Sequence, residues 1–205
     1  MSKGDDSDEM GDWLPPIDLG SVNTVTQIAA GHNSTCARLS NNTMKCWGYN
    51  WYGQLGLGDR NNRGDGANEM GDLLPALDLG SVNLAMVTPA VGQHSCVVLE
   101  DFSVKCWGAN SGGRLGQEDS NHRGDEPNEM GDVLRPVILG NGVTAIDIAV
   151  GATHTCALLS NGKVKCWGIN NYGQLGKGDT LARGANVGDM GDALTPIVID
   201  PLSGF

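Results

Sequence analysis

The chain is short of aromatic residues, short of positive charge and without a long apolar run. Of its 205 residues, 2 are Phe, 3 Tyr and 5 Trp. Lys and Arg total 13 against 24 Asp and Glu, for a net charge of −11. Binding to nucleic acid draws most of its affinity from phosphate neutralisation by basic side chains, so no nucleic-acid partner is expected. The same shortage disfavours an anionic membrane surface. The acidity serves solubility and, on electrostatic grounds, favours a basic protein partner. No stretch approaches the roughly 20 apolar residues that cross a bilayer. Residues 1–9, an acidic N-terminal tail, lack the apolar centre of a signal peptide. The compartment is left open.

Chemistry is absent in the same way. The 4 His are scattered, and Ser and Thr have no activating context, so no nucleophile, base and orienting group form a set. Gly53-x-x-Gly56-x-Gly58 is not followed by a helical pattern, which removes a phosphate-cradling reading. No Cys-x-x-Cys occurs, and no repeated His stands near to complete a zinc site. No enzyme activity, cofactor or metal is expected from these residues.

What is abundant is glycine, 31 residues of it, in a strict repeat. Cys46-Trp47-Gly48-Tyr49-Asn50 returns as Cys106-Trp107-Gly108-Ala109-Asn110 and as Cys166-Trp167-Gly168-Ile169-Asn170, a period of 60. A Met-Gly-Asp segment begins at Met10, Met70, Met130 and Met190. Residues 10–205 therefore form one repeat domain, with units at about 20–79, 80–139 and 140–199 and a leading strand at 13–19.

Each unit offers four short strands and no helix. One is the apolar piece after Met-Gly-Asp, such as Ile17-Asp18-Leu19 or Ile197-Val198-Ile199. A second shows a two-residue period in Ala145-Ile146-Asp147-Ile148-Ala149-Val150, with Val25–Ala30 as its first-unit equivalent. The second-unit copy carries Pro89, which cannot donate to a ladder and belongs at a sheet edge. The last two form a hairpin around Ser160-Asn161-Gly162, whose final position calls for a left-handed residue. Gly162 and Asn42 suit that position, whereas Phe102 does not. Repeated four-stranded antiparallel units are propeller blades.

The run from Gly151 through His154, Cys156, Gly162, Trp167-Gly168-x-Asn170 and Gly173-Gln174-Leu175-Gly176 to Asp179 closely resembles the RCC1 (regulator of chromosome condensation) repeat. All three units match, so the resemblance covers almost the whole chain. It implies an all-β propeller of four-stranded blades, usually seven of them. Its best-known member exchanges nucleotide on a small GTPase; others are ubiquitin-ligase modules, channel or receptor partners and a plant ultraviolet sensor. The GTPase-contacting insertion and the sensor's clustered Trp motifs have no match here. Gly92 falls one position late, and Arg114 and Gly112 replace the Gln and Tyr of the other units.

Propellers close with about 4–8 blades, so three need an explanation. The arc stays open, or it closes as a homo-oligomer by head-to-tail assembly, or it is part of a longer propeller.

Six cysteines pair as Cys36/Cys46, Cys96/Cys106 and Cys156/Cys166, each directly opposed across a hairpin. One disulfide per blade implies an oxidising compartment. The alternative is small buried thiols packing between blades. His94 and His154 precede cysteines by two residues, a position where the resemblance implies a structural His or polar group tying strands together. Arg63-Gly64-Asp65 and Arg123-Gly124-Asp125 are in repeat register and read as turns. The acidic stretches after them form a solvated rim, with a calcium site as the alternative.

Trp47, Trp107 and Trp167 should fill the space between blades, and Gly48, Gly108 and Gly168 should allow the turn after each hairpin. Trp51, Phe102, Arg114 and Tyr172 vary among units, so scaffold geometry does not require them; they are the candidate partner-binding residues. The expected function is a protein-interaction scaffold. The alternative is nucleotide exchange on a small GTPase, by resemblance alone.

Overall fold

The computed structural model describes residues 9–21, 24–87 and 92–198. It contains three antiparallel sheets, each of three strands in sequence order. Blade 1 is β1 (Val25–Ala30), β2 (Ser34–Leu39) and β3 (Met44–Gly48). Blade 2 is β4 (Leu84–Val87), β5 (His94–Leu99) and β6 (Val104–Gly108). Blade 3 is β7 (Ala145–Val150), β8 (His154–Leu159) and β9 (Val164–Gly168). Strand β4 is an edge strand, while Pro89 lies outside the described residues.

The hairpins take the expected register. Cys36 faces Cys46, Cys96 faces Cys106 and Cys156 faces Cys166. Asn42, Phe102 and Gly162 all adopt left-handed backbone, with φ of 65°, 64° and 77°. Phe102 thus accepts the conformation that glycine takes in blade 3, because the hairpin bonds on both sides hold it there. Leu99 N–H donates to Ser103 O and Phe102 N–H to Leu99 O.

The expected fourth strand of each blade is reduced. The segment after Met-Gly-Asp starts with a single 3₁₀ turn at Gly11–Trp13, Gly71–Leu73 and Gly131–Val133. It then runs extended beside the third strand without forming a ladder. One backbone bond fastens each: Leu77 to Met44, Val137 to Val104 and Ile197 to Val164, all at 2.7–2.8 Å. The prolines and the 3₁₀ turn leave too few N–H groups in register for more. The leading copy, expected as a strand over 13–19, holds Trp13 within a 3₁₀ turn and is likewise extended beyond it.

A lysine locks this segment into the next blade. Lys45 Nζ donates to Leu19 O and Gly71 O, Lys105 to Leu79 O and Gly131 O, and Lys165 to Leu139 O and Gly191 O. A buried ammonium is tolerated only with such partners. The sequence reading missed these lysines, although they too recur every 60 residues.

Two apolar cores lie between blades rather than within them. The first joins Cys36, Met44, Cys46 and Leu55 of blade 1 to Leu84, Val97, Leu99 and Trp107 of blade 2. The second joins Cys96, Val98, Cys106 and Leu115 of blade 2 to Ile148, Ala157, Leu159 and Trp167 of blade 3. Blade 2 therefore offers one face to blade 1 and the other to blade 3.

Candidate interaction surface

The loop after each third strand builds the junction to the next blade. Gly48, Gly108 and Gly168 turn the chain with φ of 106°, 99° and 111°. A Cβ at Gly48 would lie 2.4 Å from Asn33 O, so no side chain fits. Asn50, Asn110 and Asn170 are fully buried and organise the loop. Asn50 Oδ1 accepts from Leu55 N–H, while its Nδ2 donates to Asp59 O. The other two repeat this pattern.

The junction is closed by tryptophan. Trp107 Nε1 donates to Gln54 O at 3.0 Å, and Trp167 Nε1 to Arg114 O at 3.1 Å. Ser95 Oγ and Thr155 Oγ1 donate to the same carbonyls. Trp107 and Trp167 are buried as expected, but Trp47 is only half-buried, because its face of blade 1 meets no preceding blade.

The three cysteine pairs are joined as disulfides, with Cα–Cα distances of 4.0–4.1 Å. His94 is fully buried, and its Nε2 lies 2.8 Å from Thr155 Oγ1. That hydroxyl gives its one proton to Arg114 O, so His94 Nε2 carries the proton and Nδ1 is a bare acceptor without a partner among the described residues. Burial, then the nearby Arg114 and His154, lowers its pKa to about 3. A neutral structural imidazole at a blade junction results.

Neither Arg-Gly-Asp turn offers a free arginine. Arg63 Nη2 pairs with Asp59 at 2.6 Å, and Arg123 with Asp119 at 2.6 Å. Glu69 and Glu129 each accept three backbone N–H groups, those of residues 64–66 and 124–126. The rim carboxylates thus close turns. Among the described residues, no group of three or more His, Cys, Asp or Glu is arranged to hold a metal.

The four candidate partner-binding residues do not share a surface. Trp51 and Tyr172 stand on the post-hairpin loops, 59% and 94% exposed. Phe102 sits in a hairpin turn, at the opposite end of its sheet. Arg114 requires correction: it is only 5% exposed, with Nε donating to Ser111 O and its guanidinium reaching Ala152 O in blade 3. Its length spans the junction that Gln54 serves elsewhere, so it acts inside the scaffold.

Around Trp51 the structure assembles residues that the sequence reading left apart. One depression of about 670 Å³ is lined by Tyr49, Trp51, Arg60 and Arg63, among others. A second, about 580 Å³, is lined by Arg60, His122, Arg123 and Asp125, among others. Arg60 belongs to both and pairs with Asp125 of blade 2 at 2.7 Å. Tyr52 meets the His122 ring edge-on at 5.3 Å. The two loops are 60 residues apart, so only the blade stacking reveals this patch.

Sequence models of the regulator of chromosome condensation (RCC1) repeat match residues 25–54, 103–158 and 145–174. The chain belongs to the RCC1 repeat family. It is 32% identical over 156 residues to a human protein described as probable E3 ubiquitin-protein ligase HERC4, covering 76% of this chain and 13% of that one. Among solved structures, human WBSCR16 aligns with a TM-score of 0.63 at 24% identity, over 81% of this chain and 37% of that chain. Prp20p from Saccharomyces cerevisiae, whose structure was described with its binding to Gsp1p and histones, aligns at 0.56 and 23% identity, over 88% and 38%. These likenesses show the RCC1-type propeller-blade fold; the chain spans 13–38% of the length of these proteins. No helix among the described residues is long and apolar enough to cross a membrane.

Proposed function

We propose that this RCC1-type array is a non-catalytic protein-interaction scaffold that recognises a protein partner through the loop face around Trp51. The observation that carries this reading is a large exposed indole lining one of two depressions that share Arg60. Aromatic and Arg side chains are the usual anchors of protein interfaces. Neither is needed by the repeat: the residue at 51 is Ser111 and Asn171 in the other blades. Tyr172 extends the same loop face at blade 3, and Phe102 belongs to a separate one. The excess of acidic residues suits a partner with a basic surface.

A proximity-labelling comparison in cells tests this. Trp51→Ala should lose a defined set of neighbours that Phe102→Ala retains. Identical neighbour sets for the two variants would overturn the assignment. A second reading, regulation of a small GTPase, draws support from the likeness to Prp20p. Accelerated release of labelled GDP from a candidate GTPase would favour it over a passive scaffold.

A further inference from the structure

The two outer faces of the array are complementary. In blade 3, Ile148 packs against blade 2 and is 3% exposed, whereas its blade 1 equivalent, Ile28, is 62% exposed. Val25 and Ala30 are exposed where Ala145 and Val150 are buried. The other face shows the reverse: Ala29 is buried against blade 2, while its equivalent, Ala149, is exposed on blade 3. Cys36 and Met44 are buried, while Cys156 and Val164 are half-exposed.

The polar groups divide in the same way. Blade 1 carries the donors of a junction, Trp47 Nε1 and Thr35 Oγ1; no bond to either is seen among the described residues. Blade 3 carries the matching acceptor, Gln174 O, in the position of Gln54 O and Arg114 O. Gly58 N–H donates to Gly124 O across the first junction, and Glu118 N–H to Gly184 O across the second. Gly178 N–H and Gly64 O are the corresponding pair on the outer faces. Gly53 and Gly113 allow the loop to touch the next blade's backbone, and Gly173 keeps that allowance where nothing yet touches it. The tryptophan, hydroxyl and backbone partners common to both internal junctions are thus present, divided between opposite ends.

We infer that the outer face of blade 1 takes the outer face of blade 3 from a second copy of this chain, forming head to tail the same junction that joins blades 2 and 3. Two copies joined twice make a six-bladed ring, within the size at which propellers close. The contact is heterologous, using two different patches of each chain. It is independent of the loop-face reading above. Each new junction has room for one Met-Gly-Asp segment but meets two, residues 10–17 of one copy and 190–197 of the other. The leading copy yields: its Leu14 is 40% exposed, whereas Leu74 and Leu134 are 1% exposed and Leu194 is 2% exposed.

The test uses the whole chain, wild type and two variants, in analytical ultracentrifugation at about 50 µM, above the weak end of standard-size interfaces. Ile28→Asp alters the blade 1 face and Ala149→Asp the blade 3 face; both positions are exposed in the single chain, so both variants should fold, with the far-UV circular dichroism of the wild type. The wild type should be a dimer. Each variant alone should be a monomer, weakened on the order of 100-fold or more by an unpaired buried charge. An equal mixture should regain dimers, because each variant supplies the face that the other lacks. A monomeric wild type would overturn the inference. So would a dimer that survives Ala149→Asp but not Ile28→Asp, since that contact would join two like faces.

Discussion

Blade 2 and blade 1 are written in nearly the same residues and lie in different surroundings. Every residue of β5 and β6 is buried, while β2 and β3 mix buried with half-buried positions. The difference comes from neighbours. Blade 2 is covered on both sides, and blade 1 only on the side of Leu55 and Leu77. In a stacked repeat, stability divides into an intrinsic part per unit and a part at each interface between neighbours. The same tryptophan should therefore matter by different amounts in different blades, and the differences can be measured.

The strongest way to sharpen that contrast is to remove the tryptophans one at a time. Trp107→Ala and Trp167→Ala delete fully buried rings and their bonds to Gln54 O and Arg114 O, and each should cost about 3–5 kcal/mol. Trp47→Ala removes a half-buried ring that makes no such bond, and should cost about 1–2 kcal/mol. Urea unfolding of the three variants at low protein concentration gives the ranking. Equal losses at Trp47 and Trp107 would break the account of a neighbour-dependent core.

A second contrast concerns the histidines. Position 94 holds a buried His in blade 2, position 154 a half-buried one in blade 3, and position 34 a serine in blade 1. The folded pKa of His94 is about 3 against 6.5 for the free side chain. The unfolded chain thus takes up this proton first, and stability rises with pH between those two values. His94 costs nothing above the upper value, and the penalty grows as pH falls toward the lower one. Its slope is about 1.4 kcal/mol per pH unit, so at about pH 5 wild type should have lost roughly 2 kcal/mol that His94→Gln retains. Burial lowers the pKa of His154 as well, but solvent reaches that ring, and His154→Gln should change the slope less. Denaturant midpoints at a series of pH values test this. Parallel pH profiles for wild type and His94→Gln would contradict the buried neutral imidazole.

The repeat itself was legible in the sequence, because a period of 60 is arithmetic and the hairpin register follows from loop length. The cysteine pairing followed from that register, though whether the sulfurs were bonded did not. The fourth strand was overread: Ile17-Asp18-Leu19 and its copies are β-prone by composition, but adjacent prolines and the 3₁₀ turn leave the copies at Leu77, Val137 and Ile197 one backbone bond each to the third strand. The interaction surface was legible only in part. Trp51 stood out because it breaks the repeat, and so did Arg114, yet one points to solvent and the other bridges two blades. Departure from a consensus does not reveal which side of a loop a residue occupies. Arg60, Tyr52 and His122 escaped notice because their proximity depends on how blade 1 stacks on blade 2.

The smallest expected effect has the opposite sign. The hairpin turns of the three blades place Asn42, Phe102 and Gly162 in the same left-handed conformation. A β-carbon in that region costs roughly 1–2 kcal/mol, least for Asn and most for bulky residues. Glycine removes that strain but loses about 0.5–1 kcal/mol through the greater freedom of the unfolded chain. Phe102→Gly should therefore stabilise blade 2 slightly, by about 0.5 kcal/mol, while Asn42→Gly should change little. Gly162→Ala should destabilise blade 3 by about 1 kcal/mol, although a Cβ there meets no neighbour, because the cost lies in the backbone alone. The Phe102 ring is half out in solvent beside Val143 and Ile138, so little packing is lost with it. Thermal unfolding of the three variants separates the two terms. A loss beyond about 1 kcal/mol on Phe102→Gly would show that the ring packs on its neighbours strongly enough to offset its strained backbone.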